Sequence, residues 1–422
     1  MRQFFRAEIL KRVESYTKQL ISTHQPTVIA ITGSVGKTST KLAIAHVLRG
    51  RYRVLVQEGN YNTEFGLPLS LFELDPPQKS TSILAWGKIL WTMRRRVRGS
   101  YPYEVVILEM GADQPGDITR FMQYMQPDIG VVTAVARVHM EAFNSLEDII
   151  QEKWSLARGS QAVIYNHDDE NLRQQAANMD NCVGYGLERT DVWSDLHEFM
   201  ESRGWLGTLH LGNTGLETVF PVLGKQSVYG LTAAAAVGEK CDIPPRAIVE
   251  RIGEWTQPKG RMRLLAGKNG SRIIDDSYNS NPYAAVAALD GLQRFSGRHI
   301  AIMGTMNELG GYEEEGHRLV GQHCGQLDVL VTIGEPANRY TAAAAAEAGM
   351  DEDSIQTCKS PYQAGDYVAS LLKKGDTVLV KGSQNGVFAE ESIKPLLSDA
   401  TDEALLVRQN PTWLYKKRVQ FR

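Results

Sequence analysis

The sequence is poor in cysteine, has no large excess of charge of either sign and contains no long apolar run. Its four cysteines lie far apart and form no C-x-x-C pair; they are Cys182, Cys241, Cys324 and Cys358. This spacing excludes a zinc ribbon and a compact disulfide framework and is typical of a reducing compartment. A net charge of −3 excludes a general attraction to nucleic acid. No apolar run approaches the roughly 18 residues of a membrane-spanning helix, and charges interrupt the amino-terminal stretch where a signal peptide would be apolar. The sequence therefore predicts a cytoplasmic protein.

The chain has the composition of a folded protein with more than one domain. Hydrophobic residues make up 42% and charged residues 23% of its 422 residues, which is typical of globular chains. One ordinary hydrophobic core encloses fewer residues than this, so we expect two or three domains.

Two alternating series of strand-like and helix-like segments predict an α/β fold. After a helix over residues 1–26, the first series contains TVIAIT (27–32), RVLVQ (53–57), EVVILE (104–109), IGVVTAV (129–135) and AVIY (162–165). Such alternation predicts a mostly parallel sheet covered by helices. A glycine-punctuated stretch over 182–223 predicts a small antiparallel addition. The second series contains RIID (272–275), HIAIM (299–303), VLVTI (329–333) and TVLVK (377–381). We therefore expect a central domain over 27–256 and a Rossmann-like α/β domain over 257–422.

The strongest functional motif is T-G-S-V-G-K-T-S, from Thr32 to Ser39. It follows a buried strand and precedes a helix, where loop N–H groups and the helix dipole attract phosphate. Gly33 and Gly36 permit a tight turn, Lys37 can reach the β- and γ-phosphates, and the Thr38 hydroxyl can bind Mg²⁺. The motif is a shortened P-loop, and it predicts ATP-binding residues Gly33, Ser34, Val35, Gly36, Lys37, Thr38 and Ser39.

Further motifs follow the P-loop in an order that resembles the Mur ligases of bacterial cell-wall synthesis. They are NYNTEFGLPL (60–69), LEMGADQPGDI (108–118), HMEAFNSLEDIIQEKWSL (139–156), GRMR (260–263), DDSYNSNP (275–282), GTMNELG followed by His317, and VLVKGS (378–383). Within the family they are most similar to the branch that adds D-alanyl-D-alanine. The resemblance implies an ATP-dependent amide-bond-forming ligase that activates a carboxylate as an acyl phosphate.

The resemblance also implies a site for Mg²⁺, with two ions expected. Glu109 ends a buried strand at the edge of the sheet where ligands bind, and a carboxylate there suits Mg²⁺ together with Thr38. The family pattern makes His139 a ligand of a second ion and Lys153 a carbamylated lysine facing the metal, and it gives both a catalytic role beside Lys37. Without the resemblance, His139 and Lys153 would read as an ordinary histidine and a helix charge.

In the second domain the resemblance places Arg261 near the phosphates and Asp276 near the ATP ribose. Closure of the two domains would exclude water, which hydrolyses an acyl phosphate. The residues expected to meet the substrates are Asn60, Asn62, Asn279, Asn281, Lys381 and Ser383. A second interpretation is that Asn279 and Asn281 only shape the turn before a helix.

Three features depart from the family pattern. Gln226 and Gly230 stand where the family has a histidine and an adenine-contacting asparagine, and Ser155 stands where the family often has an acid. The Mur ligases of the main pathway also carry a UDP-sugar-binding domain before the P-loop, whereas residues 1–26 can form only one helix. We therefore expect recognition of the sugar nucleotide to be weak, relocated or unnecessary.

The stretch ILAWGKILWTMRRRVR (83–98) combines tryptophans with clustered arginines. One interpretation is a helix packed on the domain with a solvated basic end, and another is a peripheral membrane contact. A third hypothesis is that Arg94, Arg95 and Arg96 bind a pyrophosphate of the acceptor, because guanidinium groups match phosphate oxygens.

The sequence is compatible with three functions. The first is a ligase of peptidoglycan precursor synthesis that joins a dipeptide or amino acid to a small-molecule carboxylate such as a muramoyl peptide. The second is the same chemistry on another carboxylate, of the poly- or folyl-glutamate type. The third is a P-loop ATPase that switches a partner, against which the motifs of the second domain count.

Overall fold

In the computed structural model, one β-sheet is formed by residues before position 257 of the sequence and a second β-sheet by residues after it. The structure describes residues 2–56, 64–77, 79, 81–112, 114–136, 143 and 145–421, without the side chains of the first two of these residues. The first sheet is built from residues 27–220 and the second from residues 263–381. The α/β fold class is therefore confirmed, while the division into domains at 257 stays a prediction.

The first sheet has nine strands in the order β2-β3-β1-β4-β5-β6-β7-β8-β9. Its strands are β1 (Thr27–Thr32), β2 (Val54–Val56), β3 (Val105–Glu109), β4 (Ile129–Val132), β5 (Ala162–Asn166), β6 (Cys182–Gly186), β7 (Val192–Met200), β8 (Gly204–Leu211) and β9 (Thr214–Phe220). Neighbours from β2 to β7 pair in parallel, whereas β7, β8 and β9 pair antiparallel. The predicted antiparallel addition therefore extends the same sheet.

Nine helices surround this sheet in the described part of the chain. They are α1 (Arg2–His24), α2 (Lys37–Leu48), α3 (Gly66–Ser70), α4 (Ile83–Arg98), α5 (Asp117–Met122), α6 (Leu146–Arg158), α7 (Glu170–Ala176), α8 (Lys225–Lys240) and α9 (Pro245–Gly253). Alternate residues of β1 point to opposite faces. Ile29 and Ile31 pack with α2 and α8, and Val28 and Ala30 pack with α1 and α4. Burial on both faces explains why the central parallel strands are continuously apolar.

The second sheet has six strands in the order β10-β11-β15-β12-β13-β14. Its strands are β10 (Arg263–Ala266), β11 (Arg272–Asp276), β12 (His299–Gly304), β13 (Val329–Ile333), β14 (Ile355–Cys358) and β15 (Thr377–Lys381). Only β10 is antiparallel to its neighbour. The α-helices of this part are α10 (Pro282–Leu292), α11 (Glu313–His323), α12 (Ala342–Glu347), α13 (Pro361–Leu371) and α14 (Pro411–Gln420). The sequence did not predict β10 and β14, because each is an edge strand of only four residues whose side chains are partly exposed.

Candidate functional site

The P-loop lies at the carboxyl edge of the first sheet, between β1 and α2. The Thr32 hydroxyl donates to the carbonyl of Met110 at 2.8 Å, which ties the loop to the end of β3. Gly33 has a φ of 142°, and a Cβ atom there would lie 2.1 Å from the Thr133 hydroxyl. Gly36 has a φ of 84° and caps α2. Both glycines are therefore required by the backbone path, as the motif predicted.

The ammonium of Lys37 lies over the P-loop itself. Its Nζ donates to the carbonyl of Gly33 at 2.7 Å and contacts that of Ser34 at 3.5 Å. The side chain is part-buried and remains outside the hydrophobic core. Lys37 is therefore held where a P-loop binds phosphate groups.

Glu109 is a buried carboxylate held by a hydroxyl and an ammonium. The Thr38 hydroxyl donates to its two oxygens at 3.1 and 3.0 Å, and Lys41 forms an ion pair with it at 3.1 Å. Glu109 is 3% exposed and Lys41 is 1% exposed. Burial alone raises the pKa of Glu109, but the charges of Lys41 and Lys37 outweigh burial and the net shift is downward. The carboxylate is therefore ionised at neutral pH.

Lys41 is a site residue that the sequence interpretation missed. It lies four residues after Lys37 on α2, so the two lysines share one face of the helix. A lysine that is buried with the apolar side of a helix needs an acidic partner. The position of Lys41 directly before the apolar run LAIA (42–45) was the available signal. Glu109 meets it from a strand 68 positions further along the chain.

The residues around Glu109 fit a Mg²⁺ ion. Mg²⁺ prefers oxygen ligands and usually takes one or two carboxylates together with phosphate oxygens and water. The Glu109 carboxylate and the Thr38 hydroxyl supply oxygens of this kind, 3.0 Å apart at the closest. Within the described ranges, no three His, Cys, Asp or Glu side chains form a metal-binding group. The predicted site residues His139, Asn60 and Asn62 lie outside the described residues.

Helix α6 brings Lys153 to the segment that follows β3. Lys153 is 2% exposed, and its Nζ donates to the carbonyl of Ala112 at 3.4 Å. The adjacent Glu152 accepts from the backbone N–H groups of Gly116 at 2.7 Å and Ile118 at 2.8 Å. This contact joins α6 to the start of α5, so Lys153 lies close to the end of the strand that carries Glu109. The hydroxyl of Ser155, where the family often has an acid, donates to a carbonyl of its own helix.

Asp276 and Lys381 form a buried ion pair at the carboxyl ends of two adjacent strands, β11 and β15. Lys381 Nζ lies 2.6 Å from Asp276 Oδ2 and donates to the carbonyl of Asn279 at 3.0 Å. Burial raises the pKa of Asp276, and the charges of Lys381 and Arg261 offset only part of that shift. The predicted residues Asp276, Asn279 and Lys381 therefore meet in one cluster.

Arg261 influences the carboxylates of both Asp276 and Glu109. Its guanidinium lies 4.3 Å from the centroid of the Tyr278 ring. After burial, Lys41 and Lys37, the charge of Arg261 is a further influence on the pKa of Glu109 and lowers it. The guanidinium therefore acts electrostatically on the carboxylate at the edge of the first sheet.

Two predicted substrate residues have hydrogen bonds within the fold. The Asn281 side chain caps α10 by accepting from the N–H of Ala284 at 2.9 Å, which supports the turn-shaping interpretation for that residue. Ser383 is 1% exposed, and its hydroxyl accepts from the Asn307 N–H at 2.9 Å and donates to the Ser280 carbonyl at 3.3 Å. Ser383 therefore joins the end of β15 to the segment before α10.

The departures from the family pattern have packing roles. Gln226 donates to the carbonyl of Ala287 at 3.3 Å and so connects α8 with α10 across the two sheets. A Cβ atom on Gly230 would lie 3.3 Å from the Thr40 hydroxyl oxygen, so glycine allows α8 to approach α2 closely.

His317, which follows the GTMNELG motif, is fully buried, and burial lowers its pKa to about 4. This histidine is therefore neutral and serves the packing of the second sheet.

A buried ionic network behind the loop that carries Tyr278 was also missed. Arg408 pairs with Glu390 at 2.6 Å and donates to the carbonyls of Ser277 and Tyr278 at 2.7 and 2.9 Å. Lys417 of α14 pairs with Glu390 at 2.8 Å and further fixes that carboxylate. In the sequence these charges resemble solvated surface residues, because their partners are far apart along the chain.

Helix α4 is packed on the first sheet through Trp86, Met93 and Val97. Its last turn lies beside His24, whose ring bonds the carbonyl of Val97 at 3.1 Å. His24 precedes β1, so this end of α4 is at the amino edge of the sheet, opposite the P-loop. Arg96 is bound to the Phe72 carbonyl and to Glu73. The structure therefore argues against the hypothesis that Arg94, Arg95 and Arg96 bind a pyrophosphate of the acceptor.

None of the described helices is both long enough and apolar enough to cross a bilayer.

Comparison with known proteins shows relatives across most of the chain. The family described as Mur ligase middle domain matches residues 31–238, and the Mur ligase, glutamate ligase domain matches residues 260–384. The chain is 28% identical over 379 residues to the UDP-N-acetylmuramoyl-tripeptide–D-alanyl-D-alanine ligase of Bacillus subtilis, covering 88% of this chain and 76% of the relative. It is 30% identical over 387 residues to the enzyme of that name from Mycobacterium tuberculosis, covering 85% and 70%.

A solved structure supports the same relationship. The MurF ligase of Thermotoga maritima, crystallised in complex with ADP, superimposes with a TM-score of 0.75 at 25% identity, covering 89% of this chain and 80% of that one. The two domain matches, the identity with named ligases and the shared fold agree with the P-loop geometry. The chain belongs to the Mur ligase family.

Proposed function

We propose that this Mur ligase adds D-alanyl-D-alanine, or a similar amine, to the carboxylate of a muramoyl peptide in peptidoglycan precursor synthesis. Members of the family form amide bonds with ATP, and the relatives that match most of the chain are named for this addition. The observation that carries the proposal is the P-loop with ionised Glu109 at its mouth, influenced by Arg261 from the segment before β10.

The proposed reaction requires activation of the acceptor, because a carboxylate is a poor electrophile. Transfer of the γ-phosphoryl group of ATP gives an acyl phosphate and ADP, after which the amine attacks and phosphate leaves. Lys37 and Arg261 offset negative charge on the transferring group. No covalent nucleophile of the enzyme is needed, only positioning and charge stabilisation.

Mg²⁺ would reduce the negative charge of the phosphates when bound. We propose that Thr38 and Glu109 hold one ion and that His139 and carbamylated Lys153 serve a second. The position of Lys153 near the end of β3, at 2% exposure, supports this assignment. A carbamate would convert its cationic end into an anion suited to a metal.

The amine donor is proposed to bind at the carboxyl edge of the second sheet. A cleft of about 230 Å³ lies there, lined among others by Thr305, Asn307, Lys359 and Asn385. Ligands of open α/β sheets bind outside the carboxyl ends of the strands. The exposed ammonium of Lys359 suits the carboxylate of a dipeptide, and Ser383 supports this wall by accepting from Asn307.

Phosphate release with purified protein tests the proposed function. The panel contains a muramoyl tripeptide with D-alanyl-D-alanine, glutamyl and folyl substrates with glutamate, and each acceptor without an amine. We expect release to require both the muramoyl peptide and the amine. Release only with glutamate would favour the poly-glutamate alternative, and release without an amine would favour an ATPase switch.

The variant Lys37→Ala tests in the same assay whether the P-loop takes part in the reaction. Loss of its charge stabilisation is expected to lower turnover about 100-fold or more without changing the unfolding midpoint. Near-normal turnover of the variant would remove the P-loop from the mechanism and with it the proposed function.

A further inference from the structure

Half of α4 forms one continuous exposed face. The exposed residues are Ile83, Leu84, Gly87, Lys88, Trp91, Arg94, Arg95 and Arg98. In a helix of 3.6 residues per turn these positions fall within an arc of about 140°. We call this surface the α4 face.

The α4 face combines large apolar side chains with positive charge. Ile83, Leu84 and Trp91 are 70%, 88% and 62% exposed, although side chains of this type are usually buried. Four cations share the face, and residues 83–98 contain no acidic residue. The Arg95 guanidinium lies 5.8 Å from the centroid of the Trp91 ring. The face therefore carries a strong local positive charge on a chain whose net charge is −3.

The opposite side of α4 holds the helix in place. Trp86, Met93 and Val97 are 3%, 0% and 7% exposed and pack in the core between α1 and the first sheet. The Ser82 side chain caps the helix by accepting from the Ala85 N–H at 3.3 Å. The α4 face is therefore preformed, and a partner that binds it need not order the helix first.

We propose that the α4 face docks peripherally on an anionic lipid surface. A helix with tryptophan and aliphatic side chains beside several basic ones lies in the interface of a bilayer, with its apolar groups inserted and its cations at the headgroups. A second copy of the chain is a poor occupant of this face, because two faces that each carry four cations and no acid repel each other. The exposed aliphatic side chains are likewise unsuited to a nucleic acid backbone.

Cosedimentation of the full chain with lipid vesicles tests the proposal. The probes are vesicles of phosphatidylcholine alone and vesicles that also contain phosphatidylglycerol. Each Lys or Arg near an anionic membrane contributes roughly a fivefold gain in binding. We expect binding to the anionic vesicles only, weakening with added salt, and a loss of at least about 100-fold in the variant K88Q/R94Q/R95Q/R98Q.

A charge-matched control separates this face from general electrostatics. The variant R203Q/K240Q/R246Q/K268Q removes four exposed cations elsewhere on the surface and should bind the anionic vesicles as the wild type does. The variant L84S/W91S keeps every charge and should bind weakly at high salt, because insertion of its apolar groups is lost. Circular dichroism of the variants confirms that the helix content is unchanged.

Several outcomes would overturn the proposal. They are absence of binding to the anionic vesicles, equal losses in the face variant and its control, and competition by inorganic phosphate at constant ionic strength, which would indicate a phosphate site. A dimer in sedimentation equilibrium that the face variant dissociates would make the face a contact between copies. The test needs no substrate, so it is independent of the proposed ligase activity.

Discussion

Replacement of Lys41 by methionine should destabilise the protein mainly by isolating a buried charge. In the wild type, Glu109 is 3% exposed and its pKa is shifted downward by Lys41 and Lys37 against the effect of burial. Removing one partner of a buried ion pair costs about 3–5 kcal/mol. Because Thr38 and Lys37 remain beside the carboxylate, we expect the lower end, about 3 kcal/mol at pH 7.5.

The loss should depend on pH with a definite sign. In the wild type, the lowered pKa of Glu109 means that its contribution is present above the unfolded pKa and disappears as pH falls through the folded value. In Lys41→Met burial is less opposed, so the folded pKa rises above the unfolded value of about 4.3 and stability is lost as pH rises. The difference between variant and wild type should therefore be smaller at pH 5.5 than at pH 7.5.

Urea unfolding followed by tryptophan fluorescence measures this difference. With a slope of about 3 kcal/mol per M, a loss of about 3 kcal/mol lowers the midpoint by about 1 M. Lys240→Met, at an exposed lysine, is the matched control and should change little. The double variant Lys41→Met/Glu109→Gln should be more stable than the sum of the single changes predicts. A pH-independent loss, or one below about 1 kcal/mol, would refute the reasoning.

Three further predictions concern other parts of the structure. Lys153→Ala should have very low ligase activity and regain part of it with short-chain carboxylic acids, whereas normal activity without them would contradict the metal-facing role. Arg408→Met should lower kcat at least about tenfold, because the carbonyls of Ser277 and Tyr278 lose their donor and the ring beside Arg261 is displaced. Arg318→Met, at an exposed ion pair, should be near wild type, and equal effects of the two substitutions would exclude a positioning role. The lowered pKa of His317, about 4, means that stability falls as pH drops from about 6.5 towards 4. His317→Gln should flatten that pH dependence in urea titrations, and an unchanged slope would assign it to other groups.

The sheets were predictable because their signals are local. Buried parallel strands such as β1 and β15 have an uninterrupted apolar centre, residues 28–31 and 378–380. A strand of five residues or more with such a centre, between helical stretches, is recognisable without a partner. The edge strands β10 and β14 have four residues each and partly exposed side chains. Their assignment as strands depends on hydrogen bonds to β11 and β13, which the local pattern does not contain.

In the candidate site, too, local features were predictable from the sequence and contacts between distant residues were not. The P-loop backbone was predictable, since glycines at Gly33 and Gly36 between a buried strand and a helix permit few other conformations. The partners of its charged groups were not predictable in this way. Lys41 meets Glu109, and Arg408 supports the loop after β11, only because distant segments are brought together by the fold.

The sequence by itself determined the α/β class, the phosphate loop and the family, because periodicity, glycine positions and ordered motifs are properties of neighbouring residues. Only the tertiary structure decided which cation holds Glu109 and whether Asn281 and Ser383 are already hydrogen-bonded. It also decided that the arginine end of α4 lies at the edge of the sheet opposite the P-loop. Ion pairing, burial and distance depend on residues far apart in the chain, and folding alone determines which of them meet.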